Sequence, residues 1–344
     1  MKNTLYESLG CFFSSDIPHC VPFGKFSKIS LPFLDMHNQT TRGIFYLCLG
    51  VFVFSLQDAI IKQVSGAYPL TQVVVIRSLV AFPILLALVQ REVGWRALFG
   101  NDLGSLILRA LIMFVSYTAY YMAFPALPLA DAVALYFTVP LFVTALAGPF
   151  LGEHSGWRVW VAVLLGFFGV MVMLQPGTGL FEPAALLSLL SAFMYGTSML
   201  MARKLGSTQP ASVLSFYQNA GFFMGALMTA FALHVFGIEH ASHPSLAFLV
   251  RSWMWIPFDD LLLICASGIV AATGMMFLTS AYRLAQANRV APFEYTGILW
   301  APLWGYVFFQ EIPRITTVAG AAVIVTAGLL ALRVAHQSNR HKLL

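Results

Sequence analysis

Apolar segments separated by short polar ones follow one another from residue 43 to residue 334. A helix that crosses a membrane needs about 20 consecutive, mainly apolar residues. The least clear boundary lies between the third and fourth segments, where only Pro125, Pro128 and Asp131 interrupt the apolar run. The pattern predicts an all-α integral membrane protein with ten transmembrane helices, at 43–62, 70–90, 104–124, 129–150, 157–175, 183–202, 211–236, 258–282, 288–309 and 314–334.

One long apolar stretch occurs twice. Residues 123–153 read AFPALPLADAVALYFTVPLFVTALAGPFLGE, and residues 281–311 read AYRLAQANRVAPFEYTGILWAPLWGYVFFQE. The copies align without a gap at an offset of 158 (281 − 123), and identical residues meet at Thr138 and Thr296, Leu141 and Leu299, Phe150 and Phe308, and Glu153 and Glu311. Each copy is a proline-interrupted apolar helix, and duplicated interrupted helices are typical of a transporter with its binding site between two halves.

The helices before this stretch align more weakly, at an offset of 141. Lys62 then falls on Arg203, Pro69 on Pro210 and Arg77 on Gln218. We therefore predict two five-helix repeats, residues 42–175 and 183–334. Because five is an odd number, the second repeat should be inverted relative to the first in the membrane.

Composition and charge support membrane insertion and set the orientation. The chain is 59% hydrophobic and 10% charged, whereas soluble domains have about 45–50% apolar and about 25% charged residues. The net charge of +5 is therefore not a nucleic-acid signal, since Lys and Arg of membrane proteins collect in cytoplasmic segments. With cytoplasmic termini, fourteen of the 19 Lys and Arg residues face the cytoplasm, and the opposite side holds Lys62, Arg251 and Arg314.

The two ends of the chain are predicted to be tails. Residues 1–41 are polar and lack the apolar core of a signal peptide, which indicates a flexible cytoplasmic tail. A second possible start at Met36 leaves open whether residues 1–35 belong to the working protein. Residues 335–344 form a basic cytoplasmic tail.

The sequence lacks the motifs of several other functions. Its four cysteines show neither a disulfide framework nor zinc spacing, and it contains neither HExxH nor a Walker loop. We predict no metal, no cofactor and no ATP-driven motor. The exposed-loop histidines His240 and His243 are not expected to bind metal.

Ionisable groups inside the first three helices are candidates for function, because they are costly in a membrane. Asp58 and Lys62 are four residues apart on one helix face, and Arg77 lies in the second helix. One interpretation is an ion-pair network that holds the first two helices together, and the other is direct binding of substrate or protons. Arg109, near the start of the third helix, is expected to be an interfacial anchor.

Glu294 lies in the proline-bearing part of the ninth helix, two residues after Pro292, and its repeat counterpart is Tyr136. A proline frees a backbone carbonyl, so this region could contact substrate, with Glu294 as a substrate ligand or proton acceptor. The alternative is a helix-terminal carboxylate paired with Arg283 or Arg289.

Aromatic residues near these positions could stack on a flat or cationic ligand or simply pack. Together with the ionisable groups, they give a candidate substrate-binding set, with Glu294 and Asp58 as the proton-coupling candidates. The set is Asp58, Arg77, Tyr120, Tyr136, Tyr195, Glu294, Tyr295 and Trp300.

Small residues predict close helix packing. Gly221 and Gly225 form a GxxxG, and Gly166 and Gly169 flank two phenylalanines. Such patterns allow helices to approach closely, and we interpret them as internal packing, leaving monomer or homodimer open. Glu153 and Glu311 end their helices and are expected to cap the next ones.

The repeat ends resemble the EamA-type, ten-helix proteins of the drug/metabolite transporter superfamily. The resemblance is carried by LPLADAVALYFTVPLFVTALAGPFLGE with GFFGVMVML, and by LAQANRVAPFEYTGILWAPLWGYVFFQE with TVAGAAVIVTAGLLAL. FSLQDAIIKQVSGAYPLTQVVVIRSL (54–79) also resembles the first-repeat start of one subgroup, whose pattern includes positions matching Asp58, Lys62 and Arg77. The resemblance covers about 43–334.

This resemblance implies a secondary transporter of the bacterial inner membrane that works by alternating access. The family moves amino acids, vitamins, nucleotide-related metabolites, drugs and opine-like compounds, by import or export. Tyr136 opposite Glu294, and the lack of an Asp58–Arg77 counterpart in the second repeat, suit a zwitterionic metabolite, with export favoured. The alternatives are a membrane-embedded enzyme, for which no cluster of Asp, His or Cys was found at one interface, and a non-transporting subunit.

Overall fold

The computed structural model describes residues 32–100, 102–151, 157–175, 182–205, 209–284 and 291–341. Its contacts divide the chain into two units, Met1–Asn38 and Gln39–Leu344, and the packing described below lies in the second. The helices are α1 (Pro32–Ser65), α2 (Leu70–Glu92), α3 (Leu103–Ala123), α4 (Leu129–Tyr136), α5 (Val139–Leu151), α6 (Trp157–Leu174), α7 (Ala185–Leu205), α8 (Ala211–Val235), α9 (Pro244–Val250), α10 (Phe258–Leu284), α11 (Gly297–Phe309) and α12 (Ile315–His341), with 3₁₀ turns at Trp95–Phe99 and Ala291–Thr296.

The helical fold confirms the class predicted from the sequence. Among the described residues, five helical segments are long and apolar enough to cross a membrane. The count of ten transmembrane helices therefore stays a prediction. The five segments are Thr41–Ser65, Leu70–Glu92, Leu103–Ala123, Ala185–Ala202 and Phe258–Ala281.

The fourth and ninth predicted helices are each interrupted, and at matching repeat positions. The fourth divides into α4 and α5 at Phe137 and Thr138, and the ninth passes from the 3₁₀ turn Ala291–Thr296 into α11. Thr138 Oγ1 donates to the Leu135 carbonyl at 2.8 Å, and Thr296 Oγ1 donates to the Phe293 carbonyl at 2.7 Å. Such bonds compete with helical hydrogen bonds and bend helices. The same threonine hydrogen bond therefore occurs at both helix interruptions, at positions 158 residues apart.

The two interruptions also meet each other. Phe137 and Tyr295, which are repeat counterparts, place their ring centroids 5.8 Å apart. A Cβ on Gly297 would lie 2.7 Å from the Phe137 ring, so glycine permits this approach. The two repeats therefore contact each other at their break points.

Other helix contacts also occur in counterpart pairs. Helix α2 packs on α8, α4 on α11 and α6 on α12, and the contact of α3 with α8 has its counterpart in that of α10 with α2. At the residue level, Gly221 approaches Ala110, while Gly268 approaches Val80. These four residues are related by the same offsets, 158 (268 − 110) and 141 (221 − 80), that the sequence shows. Residues that are counterparts in the sequence repeat therefore also make equivalent helix–helix contacts.

The terminal helices extend further than predicted. Helix α1 begins at Pro32 rather than at residue 43, and α12 continues to His341 rather than ending at residue 334. Pro32 suits the first position of a helix, where its missing N–H is no loss, and no further proline occurs in either extension. The tail predictions for 1–41 and 335–344 are corrected to this extent, and residues 1–31 and 342–344 lie outside the described part.

The connection between α8 and α10 contains a short helix and an extended segment. In α9, the Phe248 side chain is fully buried. After it, the Gln72 side chain exchanges two hydrogen bonds with the Met254 backbone, at 2.7 and 3.2 Å. Arg251 Nη1 also donates to the Ser65 and Tyr68 carbonyls, at 3.4 and 3.3 Å. This connection is therefore hydrogen-bonded to the α1–α2 turn and to the first turn of α2.

The glycine patterns form internal contacts, as interpreted from the sequence. A Cβ on Gly221 would lie 2.7 Å from that of Ala110, and one on Gly225 would lie 2.7 Å from the Phe114 ring. Both neighbours belong to α3. The GxxxG of α8 is therefore occupied by a helix of the same chain.

Replacing Gly169 with alanine should destabilise the contact of α6 with α12. A Cβ there would lie 2.8 Å from the Gly320 carbonyl oxygen, and a backbone atom cannot rotate away. Overpacking of this kind costs about 1–3 kcal/mol. Thermal unfolding in detergent would measure the loss, with Gly104→Ala as control, because a Cβ at Gly104 meets nothing within 4 Å. Equal unfolding temperatures for the two variants would contradict the expectation.

Candidate functional site

Asp58 lies about two turns before the end of α1, on the side of that helix that faces α3. Tyr120 donates a hydrogen bond to its Oδ2 at 3.0 Å, and Tyr121 donates to its Oδ1 at 2.8 Å. The carboxylate is half-buried, and no Lys or Arg among the described residues lies within ion-pair distance of it. Two phenols therefore satisfy a carboxylate that would otherwise be costly among apolar helices.

Gln57 extends this cluster toward Arg77. Its Nε2 donates to the Tyr121 hydroxyl at 2.9 Å and lies 3.4 Å from the Tyr117 hydroxyl. The Arg77 guanidinium carbon is 4.2 Å from the centroid of the Tyr117 ring. Asp58 and Arg77 thus belong to one cluster, but tyrosines separate them.

The Arg77 side chain is fully buried. Its guanidinium lies between Tyr117 and Phe222, 5.1 Å from the centroid of the second ring. Nε and Nη2 have no hydrogen-bond partner among the described residues. Cation–π contacts offset part of the cost of burying the charge, and the two N–H groups remain able to donate to an anionic group.

A row of tyrosine rings leads away from Asp58. The centroid of Tyr120 is 4.8 Å from that of Tyr136, which in turn is 5.4 Å from that of Tyr195. The three rings come from α3, α4 and α7. The structure therefore brings together three of the predicted aromatic candidates, and Tyr136 is in place because α4 ends there.

Glu294 comes from the second of the two helix interruptions. It is half-buried in the 3₁₀ turn Ala291–Thr296, and the ring of the next residue, Tyr295, lies 5.8 Å from that of Phe137, the residue after Tyr136. The alternative pairing with Arg283 or Arg289 concerns side chains outside the described part. Glu294 and its repeat counterpart Tyr136 each precede one of the two rings, Tyr295 and Phe137, through which the interruptions meet.

Two other candidates are engaged in packing. The buried Tyr295 ring contacts Phe137, and its hydroxyl occupies the space that a Cβ on Gly328 would need. Trp300 lies edge-on to Phe52, with centroids 4.9 Å apart, and stacks on Trp304. These contacts join the 3₁₀ turn Ala291–Thr296 to α12 and α11 to α1, rather than extending the tyrosine row.

The ion pair of Lys62 differs from the predicted network of Asp58, Lys62 and Arg77. Its Nζ lies 2.8 Å from Glu311 Oε1 and donates to the Leu127 carbonyl at 2.8 Å. Glu311 Oε2 in turn accepts from the Leu129 N–H at 2.9 Å. Lys62 therefore does not pair with Asp58, one turn away, because its longer side chain reaches the loop beyond the helix end. Glu311 caps α4 rather than the following helix, and its counterpart Glu153 lies outside the described part.

Arg109 also differs from expectation, since it is 3% exposed and not an interfacial anchor. Its Nη2 lies 3.3 Å from Gln218 Oε1, and its Nη1 lies 3.4 Å from the Leu214 carbonyl. Helix α8 covers the start of α3 and prevents the side chain from reaching solvent.

Three residues outside the predicted candidate set contact Arg77, Asp58 and Gln57. They are Tyr117, Tyr121 and Phe222. A signal for the tyrosines was present in the spacing of α3. Arg109, Tyr117, Tyr120 and Tyr121 recur at intervals that place them along one helix face. A polar, ionisable stripe in an apolar helix is itself a sign of a site.

The arrangement is suited to binding rather than to bond-making. It offers two carboxylates, a guanidinium with free donors and several phenols, inside a bundle of apolar helices. The described residues contain no group of three His, Cys, Asp or Glu side chains that could hold a metal ion. These groups can bind the ammonium and carboxylate of a small zwitterion, and the carboxylates can exchange protons.

Curated relatives of this chain are transporters of different small molecules. The pseudopaline exporter of Pseudomonas aeruginosa is 28% identical, over 83% of this chain and 94% of that protein. The S-adenosylmethionine uptake transporter of Rickettsia prowazekii is 26% identical, over 84% and 91%. The riboflavin transporter of Vibrio cholerae is 25% identical, over 85% and 93%.

A solved crystal structure has the same fold, with a TM-score of 0.60 over 88% of this chain and 98% of that chain, at 16% identity. The family comparison reproduces the internal repeat. The model of the EamA-like transporter family matches twice, at residues 41–175 and at residues 182–333. The protein is therefore a multi-pass membrane transporter rather than an enzyme, and it belongs to the EamA-like transporter family.

Proposed function

We propose that this chain moves a small organic zwitterion, such as an amino acid or a related compound, by alternating access between its two repeats. The observation that carries the proposal is the cluster of Asp58, Arg77 and their tyrosine partners among apolar helices, with Arg77 buried and Asp58 half-buried. A carboxylate and a guanidinium in one cluster match the ammonium and carboxylate of a zwitterion. The relatives support a small metabolite, and they include an exporter and uptake systems.

Proton coupling and export belong to the proposal. Asp58 and Glu294 are the two carboxylates next to the tyrosine row, and a carboxylate that alternates between ligand and proton links the two fluxes. We place the chain in the bacterial inner membrane with both termini in the cytoplasm, as ten helices in two inverted repeats, monomeric or homodimeric. The charge distribution of the loops supports this orientation.

The test is solute exchange in liposomes containing the purified full chain. Labelled amino acids, S-adenosylmethionine and riboflavin would be offered separately, with and without an imposed pH gradient. We expect exchange of at least one zwitterion, faster with the gradient, and lost in Glu294→Gln. Glu239→Gln is the control, because Glu239 is exposed between α8 and α9.

Two results would contradict parts of the proposal separately. Exchange no faster than in empty liposomes for every solute would reject transport of these compounds. Exchange of one zwitterion that ignores the pH gradient and survives Glu294→Gln would reject proton coupling through Glu294 while leaving the transport function. Export would be tested in cells, where expression of the chain should lower the accumulated amount of the identified solute.

A further inference from the structure

Two buried guanidinium groups, which come from different helices, contact adjacent turns of α8. Arg109 donates to Gln218 on α8, and Arg77 lies over Phe222 on the same helix. Residues four apart on a helix have Cβ atoms about 5–6 Å apart. The two arginines, from α3 and α2, therefore bring their charges to neighbouring positions on a single face of α8.

Both arginines retain donors without a partner. Arg77 is fully buried, Arg109 is 3% exposed, and the nitrogens without a hydrogen-bond partner among the described residues are Nε and Nη2 of Arg77 and Nε of Arg109. No Asp or Glu among the described residues lies within ion-pair distance of either guanidinium. Burying a charge without a paired counter-charge is costly, and a helix brace would not need a charge at both positions.

The repeat relation argues further against a purely structural role. By the offsets that the packing reproduces, the counterpart of Arg77 is Gln218 and the counterpart of Arg109 is Ser267. The second repeat therefore makes the equivalent helix contacts with neutral side chains, and α2 still packs on α10. Equivalent helix contacts thus form without a charge, and binding a ligand gives the two charges a use.

We propose that Arg77 and Arg109 bind two acidic groups of the same ligand, so that the transported compound is a zwitterion with two carboxylates rather than one. This inference rests on the proposed function and narrows its substrate class. The ligand's two acids would lie about one helical turn apart, on the order of 5–8 Å.

A matched pair of probes tests this inference. L-Norleucine and L-2-aminoadipate have the same six-carbon length and amino-acid head, and they differ by a terminal methyl or carboxylate. Binding of each to the purified chain in detergent would be measured by thermal shift over a concentration series. We expect wild type to bind L-2-aminoadipate at least about tenfold more tightly than L-norleucine, since charge-assisted bonds to a guanidinium are strong.

Arg109→Gln should remove that preference. The expected result is a loss of at least about tenfold in affinity for L-2-aminoadipate with affinity for L-norleucine unchanged. Arg96→Gln, which removes an exposed arginine, should change neither value. If the glutamine variant does not remain monodisperse, Arg109→Lys gives the same comparison, with a smaller loss confined to L-2-aminoadipate.

Three outcomes would overturn the inference. Equal affinity of wild type for both probes would reject the second acidic group, and an equal loss for both probes in Arg109→Gln would make Arg109 a helix brace. Binding and exchange of L-norleucine without any of L-2-aminoadipate would also reject it, but would leave the proposed zwitterion transport standing. Failure with both probes and with every solute of the exchange assay would reject the proposed function itself.

Discussion

Asp58→Asn is expected to abolish transport without unfolding the protein. Asparagine has the same shape, and its carbonyl oxygen can still accept a hydrogen bond from Tyr120 or Tyr121, which bind the two carboxylate oxygens in wild type. What disappears is the negative charge that would bind a ligand ammonium or a proton. Losing a charged partner in a buried site costs several kcal/mol, so we expect exchange in liposomes to fall by at least about a hundredfold.

The matched control is Asp259→Asn, because Asp259 is exposed in the first turn of α10. It should retain wild-type exchange. Both variants should unfold within a few degrees of wild type in detergent. If Asp58→Asn exchanged solute at the control rate, the cluster around Asp58 would be a structural brace, and the site would have to lie nearer Glu294.

Removing one partner of the ion pair between Lys62 and Glu311 is expected to destabilise the protein strongly. The Lys62 side chain is 9% exposed and that of Glu311 27%, so either charge would be left in a largely buried place. Breaking such a pair costs about 3–5 kcal/mol. Lys62→Met and Glu311→Gln should each show this loss in reversible unfolding in mixed micelles.

The double variant distinguishes the pair from its separate contacts. Lys62→Met with Glu311→Gln leaves no unpaired charge, and glutamine still offers an oxygen to the Leu129 N–H, which Glu311 accepts in wild type. We expect the double variant to be more stable than either single one. Arg314→Gln, an exposed arginine in the same turn, should change stability by less than about 1 kcal/mol. Losses that simply add in the double variant would show that the two residues act independently.

The backbone of the candidate site could be predicted from the sequence because it is encoded twice. Gap-free alignment of the copies places Thr138 on Thr296, and the structure interrupts both helices at these threonines through the same hydrogen bond. Likewise, the aligned prolines Pro69 and Pro210 both precede the first residue of their helices, in extended conformation. A short-range pattern that recurs in two copies is strong evidence for local structure.

Partners that come from distant parts of the chain could not be predicted in this way. The spacing of Asp58 and Lys62 favoured a local pair, but the partner of Lys62 comes from the loop between α11 and α12. Arg109 resembled an anchor because it lies near a helix start, and only the packing of α8 shows that solvent cannot reach it. Helix periodicity predicts which face of a helix a residue lies on. Its neighbours depend on which other helices pack against that face.

The matched interruptions have a consequence for how charges are distributed over a duplicated chain. Counterparts such as Phe137 and Tyr295 are in ring contact where the repeats meet, so side chains from both copies contribute to the same region. A charged side chain can therefore be present in one repeat and absent from the other, and a ligand bound between the repeats would still meet the same charge. In relatives of this chain, a missing acid or base should be sought at the counterpart position in the other half before its function is considered lost.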